Sequence, residues 1–267
     1  MPHYDGRGFK INYVEEGRGP SVVFAHGFLF DHTMYAAQFE ELPDNYRCIA
    51  WDMRGHGRSE CPDGPWSMQD LVVDLISFIE GTNVAPCHLV GMSIGGMIAV
   101  RVALQREDLV RSLVLVNSTA DAEDPGVGEV YAAYRAQIER EDGIGDELAR
   151  ISIPIFFGQR YIDAEPEAIQ IQMDREKDAP AVGAAEGLRA LINRDSVVDR
   201  LQEIRLPALA IHGELDAAVP IARAEEFVAG VAGAELVRIP NAGHTTPMET
   251  PDIVNEALSA FLAGVKR

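Results

Sequence analysis

His88-Leu89-Val90-Gly91-Met92-Ser93-Ile94-Gly95-Gly96-Met97-Ile98-Ala99-Val100 decides the fold. His88 to Val90 is a short apolar run of the kind buried on both faces of a sheet, and Ile94 to Gln105 reads as a helix. Between them lies a G-x-S-x-G turn, the strand-to-helix context of a nucleophile elbow. Such a turn forces its middle residue into a strained backbone conformation, and the flanking glycines leave room for the chain to fold tightly around it. Ser93 is thereby lifted clear of the sheet as a candidate nucleophile. The plain alternative is a glycine-rich turn with a serine N-cap.

The same alternation of strand and helix runs outward in both directions. Phe9, Ile11 and Tyr13 alternate with polar residues as a strand near an edge does. Ser21 to Ala25, Cys48 to Trp51 and Ser112 to Val116 are short apolar runs. Helices fit over Thr33 to Leu42 and Ser67 to Glu80. This is the signature of βαβ units building a mostly parallel sheet with helices on both faces. From Ala120 to about Val198 the alternation stops, and several helices are expected, broken by Pro125, Gly143, Pro154, Pro166 and Pro180. A strand at Pro207 to Ile211, a helix at Ala222 to Val228, a strand at Glu235 to Ile239 and a helix at Asp252 to Leu262 close the chain. The expected organisation is a core formed by residues 1–119 and 199–267, with a helical cap inserted at 120–198.

A serine hydroxyl needs a positioned base to take its proton. Of seven histidines, His244 follows the last expected strand in Asn241-Ala242-Gly243-His244, where a loop can reach the elbow. His26 and His56 lie in glycine-rich turns, and His88 and His212 in strand-like runs, which favours buried hydrogen-bonded roles. His3 and His32 have no supporting context. The base needs a carboxylate to hold its tautomer, and Asp216, just past a strand, completes the chain order Ser, Asp, His. Glu214 and Asp121 are the competing acids. The oxyanion of a tetrahedral intermediate needs backbone donors. Ile94, at a helix N-terminus, and Phe28, in His26-Gly27-Phe28 after a buried strand, are the candidates.

These motifs, with Asp52-Met53-Arg54-Gly55-His56-Gly57-Arg58-Ser59 as a fourth, resemble the α/β-hydrolase fold family from about Phe9 to the C-terminal helix. In that family the fourth motif is a structural turn, so Asp52 and Arg54 receive no catalytic role. Within the family the chain looks most like 3-oxoadipate enol-lactonases, small carboxylesterases and carbon–carbon bond hydrolases of ring-cleavage products, and the resemblance does not separate them. Lactonase and carbon–carbon hydrolase elbows often carry Met where this chain has Ile94. Haloalkane dehalogenases and epoxide hydrolases use an aspartate nucleophile where this chain has Ser93.

The resemblance implies a serine hydrolase acting on an ester or lactone through an acyl-enzyme, with no cofactor and no metal. Two other outcomes stand on the same scaffold: perhydrolysis or lyase chemistry, and a ligand-binding signalling protein that retains the triad. Tyr131, Tyr134, Phe156, Phe157 and Tyr161 are candidates to line the pocket, with packing within the cap as the alternative.

A net charge of -19 repels phosphate backbones and anionic membranes, so neither nucleic acid nor membrane is an expected partner, whereas a small-molecule substrate is. A homo-oligomer is compatible with the sequence. Cys48, Cys61 and Cys87 are too scattered for a disulfide framework or zinc site. Together with an N-terminus lacking a basic stretch and apolar core, they point to a cytoplasmic protein. No apolar run reaches the length of about 18 residues that a membrane span needs.

Overall fold

The computed structural model describes residues 2–265. Strands β1 (His3–Gly6), β2 (Phe9–Glu16) and β3 (Ser21–Ala25) open the chain, and helix α1 (Ala36–Glu41) leads to β4 (Arg47–Trp51). Helix α2 (Met68–Gly81), β5 (Cys87–Met92), α3 (Ile94–Gln105) and β6 (Val110–Val116) follow. Ser67 caps α2 through a reciprocal bond with Asp70, satisfying two backbone donors that the helix start would leave unpaired.

The eight strands form one sheet in the order β1-β2-β4-β3-β5-β6-β7-β8, where β7 is Ala208–Gly213 and β8 Glu235–Ile239. Pairing is antiparallel from β1 to β2 and from β2 to β4, and parallel everywhere else. Strand β3 lies between β4 and β5. The chain therefore leaves β3 toward one edge and returns on its other side, opening a crevice at the carboxyl ends of the strands.

The apolar runs are continuous because both faces of the parallel strands are covered. Val23, Ala25, Leu89, Leu113 and Leu115 belong to a core that includes Leu75 and Phe78 of α2 and Ile98 of α3. Their neighbours Val22, Phe24, Val90, Val114 and Val116 enter a second core with Leu258 and Leu262 of the last helix. Alternate residues of one strand thus serve opposite layers. Cys48 and Cys87 sit in these layers as small apolar groups, and burial pushes both thiols up to about 12.

Between β6 and β7 the chain forms α4 (Pro125–Glu141), α5 (Asp146–Phe156), α6 (Gln159–Ala164), α7 (Pro166–Asp178) and α8 (Ala181–Ile192). Pro125 and Pro166 occupy first-turn positions of α4 and α7, where a missing N–H costs no intrahelical bond. Pro154 differs from the sequence expectation. It lies inside α5, near its C-terminal end, and does not break it.

Helix α9 (Ala222–Gly230) follows β7, and α10 (Thr246–Glu249) and α11 (Pro251–Gly264) follow β8. Two further departures concern short elements. The expected helix at 33–42 is a 3-10 turn, His32–Tyr35, followed by α1. The sheet edge beyond β2 is β1, whose four residues are too few to show a period. No helix among the described residues is long and apolar enough to cross a membrane.

Candidate active site

Ser93 has φ 52° and ψ -121°, a conformation that side chains rarely adopt. Surrounding bonds hold it there: its N–H donates to the Val116 carbonyl at 3.0 Å, and its carbonyl accepts from the Ser118 hydroxyl at 2.6 Å and the Gly96 N–H at 2.9 Å. Such strain costs on the order of 1–3 kcal/mol and persists only where neighbouring contacts over-determine it. A Cβ at Gly91 would overlap the Gly95 carbonyl, and one at Gly95 would overlap the carbonyl of Ala25. The second contact presses the loop after β3 against the first turn of α3. Phe28 and Ile94, the expected oxyanion donors, thus lie on abutting segments. The Phe28 side chain faces the cavity described below, and the Ile94 side chain is buried in the core.

Asp216 and His244, the expected acid and base, lie on the loops that follow β7 and β8. His244 Nδ1 lies 2.8 Å from Asp216 Oδ2, so a proton on Nδ1 donates to the carboxylate. Of the three carboxylates weighed from sequence, only Asp216 is bonded to His244 in this way. Glu214 is exposed, and Asp121 pairs with Arg223 at 2.5 Å. Asp216 Oδ1 accepts the N–H groups of Ala218 at 2.9 Å and Val219 at 2.8 Å. Burial would push its carboxyl up, but the charge of His244 and bonds from His212 and His244 outweigh this and hold it well below the usual carboxylate range.

Asn117 and Glu249 belong to the same network and were not singled out from sequence. Asn117, fully buried directly after β6, donates from Nδ2 to Asp216 Oδ2 at 2.8 Å and to the Gly243 carbonyl at 3.1 Å. Its Oδ1 accepts from the Thr246 hydroxyl at 2.6 Å. One amide therefore ties the acid loop to the histidine loop. Its φ of 47° is a left-handed conformation that Asn tolerates better than most residues. Glu249 in α10 accepts the N–H groups of Gly243 at 2.8 Å, Thr245 at 3.0 Å and Gly158 at 3.1 Å, bracing both sides of His244. An Asn after a strand, and an acid five residues past the histidine, were the available signals. Neither means anything until the loops are folded together.

Ser93 and His244 border one cavity of about 270 Å³. Tyr131, Tyr134 and Phe156 line it, and the Phe156 ring stacks against His244 with centroids 6.3 Å apart. Phe157 and Tyr161 do not line it, which corrects the expectation from sequence. They stack on each other at 5.3 Å, and Phe157 packs against Phe30 in the second core. Phe157 lies just past α5 in an extended conformation, and its ring enters the second core while Ile155 and Phe156 of the helix line the cavity.

Two other histidines hold backbone and loop contacts away from the cavity lining. His26 Nδ1 bonds the Gly27 carbonyl at 2.8 Å, its Nε2 accepts the Met53 N–H at 2.9 Å, and burial holds the ring below its ordinary pKa. His32 bonds Asp52 at 2.9 Å, so the turn motif containing Asp52 also fixes the loop after β3. Asp52 further accepts the Asn12 amide at 2.8 Å and the Arg58 N–H at 2.9 Å, while Arg54 pairs with Asp74, as a structural turn requires.

With this geometry in place, comparisons with known proteins converge. The sequence profile of the alpha/beta hydrolase family matches residues 22–257. The chain is 26% identical over 255 residues to 3-oxoadipate enol-lactonase 2 of Acinetobacter baylyi, covering 94% of this chain and 92% of that protein. It superposes on the enol-lactonase from Burkholderia xenovorans with a TM-score of 0.92 at 27% identity, covering 98% of this chain and 100% of the other. A thermophilic esterase from Thermogutta terrifontis gives a TM-score of 0.91 at 29% identity, covering 98% and 96%.

Proposed function

The chain belongs to the alpha/beta hydrolase family, and we propose that within it the protein is a serine hydrolase cleaving an ester or lactone through an acyl-enzyme. One observation carries this reading: a strained Ser93 and a His244 fixed by Asp216 border the same cavity. Because Nδ1 donates to Asp216, the basic lone pair of His244 is on Nε2. Ser93 Oγ attacks the carbonyl carbon as His244 Nε2 takes its proton. The amides of Phe28 and Ile94 bind the oxyanion. The intermediate collapses, His244 protonates the departing oxygen, and the acyl group stays on Ser93. Water then gives a proton to His244, attacks the ester, and the Ser93 oxygen recovers that proton as the acid leaves.

The α4 to α8 segment supplies much of the cavity wall, which favours reading residues 120–198 as a cap inserted into one catalytic domain. The apolar lining fits an acyl or alcohol group of small to medium size. The enol-lactonase and esterase likenesses favour carbonyl–oxygen cleavage over the carbon–carbon reading.

A panel of aryl esters and lactones tests the assignment. Ser93→Ala should lose turnover by a factor on the order of 10⁶ while its circular dichroism is unchanged. Wild-type rates in that variant would refute it.

A further inference from the structure

The cations along the cavity wall are already matched. Arg194 donates to Glu123 at 2.7 Å and to the carbonyls of Asp121 and Leu191, both at 2.8 Å. Arg223 donates to Asp121 at 2.5 Å and Glu226 at 3.3 Å. Glu176 of α7 differs. It is fully buried yet borders the cavity, and the hydrogen bonds to its carboxyl come from neutral groups: the Ser152 hydroxyl of α5 at 2.6 Å and the Gln172 amide at 3.1 Å. Arg175, on the same helix, turns its guanidinium to Gln172 Oε1 at 2.7 Å, the Thr33 hydroxyl at 2.7 Å and the Asp31 carboxylate at 3.2 Å. Gln172 in turn donates to the Leu29 carbonyl at 3.1 Å, anchoring this cluster to the loop after β3.

We propose that Glu176 is a specificity-determining residue that makes the cavity select acyl groups without a carboxylate; this deepens, and rests on, the hydrolase reading above. A ligand carboxylate in the cavity would find each bordering arginine already paired with a protein carboxylate, and would lie near a buried acid in an apolar wall where screening is weak. Uncharged acyl groups meet no such penalty. Burial raises the Glu176 carboxyl to about 7, against the pull of Ser152, Gln172 and Arg175. It is therefore neutral on the acid side of that value and charged on the alkaline side. Discrimination should grow as pH rises through the neutral range.

The test compares p-nitrophenyl pentanoate with the mono-p-nitrophenyl ester of glutaric acid, which has the same acyl chain length and ends in a carboxylate. The readout is the ratio of their kcat/KM values, in which the titration of groups common to both reactions cancels. For the wild type the ratio should favour pentanoate by about 100-fold at pH 8 and shrink by about fivefold or more at pH 6. In Glu176→Gln it should fall about tenfold and become flat with pH. A wild-type ratio near one, or an unchanged ratio and pH dependence in the variant, overturns the proposal. The wild-type pH series needs no variant, so a misfolded Glu176→Gln protein leaves the test intact. If neither ester is cleaved in a Ser93-dependent way, the hydrolase reading has failed separately. Calorimetric binding of pentanamide and of glutaric acid monoamide then decides, since it needs no turnover. Tighter wild-type binding of the neutral amide supports the role of Glu176, and equal or weaker binding overturns it.

Discussion

The rim formed by the ends of β5 to β8 and the helices above it meet at one cavity but are held by different physics. At the rim, Ser93 and Asn117 sit directly past strands and Asp216 and His244 in the loops that follow β7 and β8, cross-linked by charge-assisted and buried hydrogen bonds. Above it, α4, α5 and α8 present aromatic and aliphatic side chains whose fit depends on helix rotation, and α7 presents one buried acid with neutral partners. The rim fixes atoms to within a hydrogen bond. The helices set volume and potential. Substitutions at the rim should therefore change turnover itself, and substitutions in the helices should change which substrate is taken and how stability varies with pH.

The sharpest way to break this division is Asp216→Asn. Its remaining oxygen can still accept from Ala218 and Val219, but its NH₂ would face His244 and force the ring into the tautomer with a proton on Nε2. That form cannot accept the Ser93 proton, so kcat should fall by a factor on the order of 10⁴ with little change in KM, read by steady-state kinetics. A purely structural Asp216 would instead lose melting temperature and keep its rate per folded molecule.

Asn117→Ala is the next test. It removes a donor to an ionised carboxylate, an interaction of roughly 1.5–3 kcal/mol, and so should lower kcat by roughly 10- to 100-fold. Asn117→Asp should not rescue it, because a second carboxylate beside Asp216 repels the first. Pre-steady-state acylation rates check both. Equal acylation in the wild type and Asn117→Ala would place Asn117 outside the catalytic network.

The smallest expected effect belongs to the helices and is measured as stability. Burial raises the folded-state value of Glu176 from 4.5 to about 7, so the folded protein binds this proton more tightly than the unfolded chain does. The stabilisation is complete below about 4.5 and is lost as pH rises to about 7. Gln cannot ionise. Urea unfolding of Glu176→Gln should therefore gain on the wild type by up to roughly 3 kcal/mol between pH 4.5 and 7.5. A constant difference across that range would remove the raised acid from the account.

The same contrast governs what could be read before folding. The elbow was legible because a strained turn requires particular glycines around Ser93, and Asp216 and His244 were legible because each follows a strand that β-branched and apolar runs announce. Asn117, Glu249 and Glu176 were not. Their partners lie between 4 and 129 residues away, a set that exists only once loops and helices meet. Phe157 and Tyr161 misled for a related reason: composition identifies an aromatic residue, but where a helix ends and how it is turned decide which layer receives it. Pro154 shows that a breaker near a helix end can leave the helix whole.

The central claim is that the serine of the elbow is the activated nucleophile of this molecule. Titration with a serine-directed aryl phosphonate, followed by mass-spectrometric mapping, tests it most directly. One adduct per chain on Ser93, slowed by a factor on the order of 10³ or more in a His244→Ala variant, is the expected result. An unmodified Ser93 in a protein that still hydrolyses esters, or labelling that ignores the loss of His244, would contradict it.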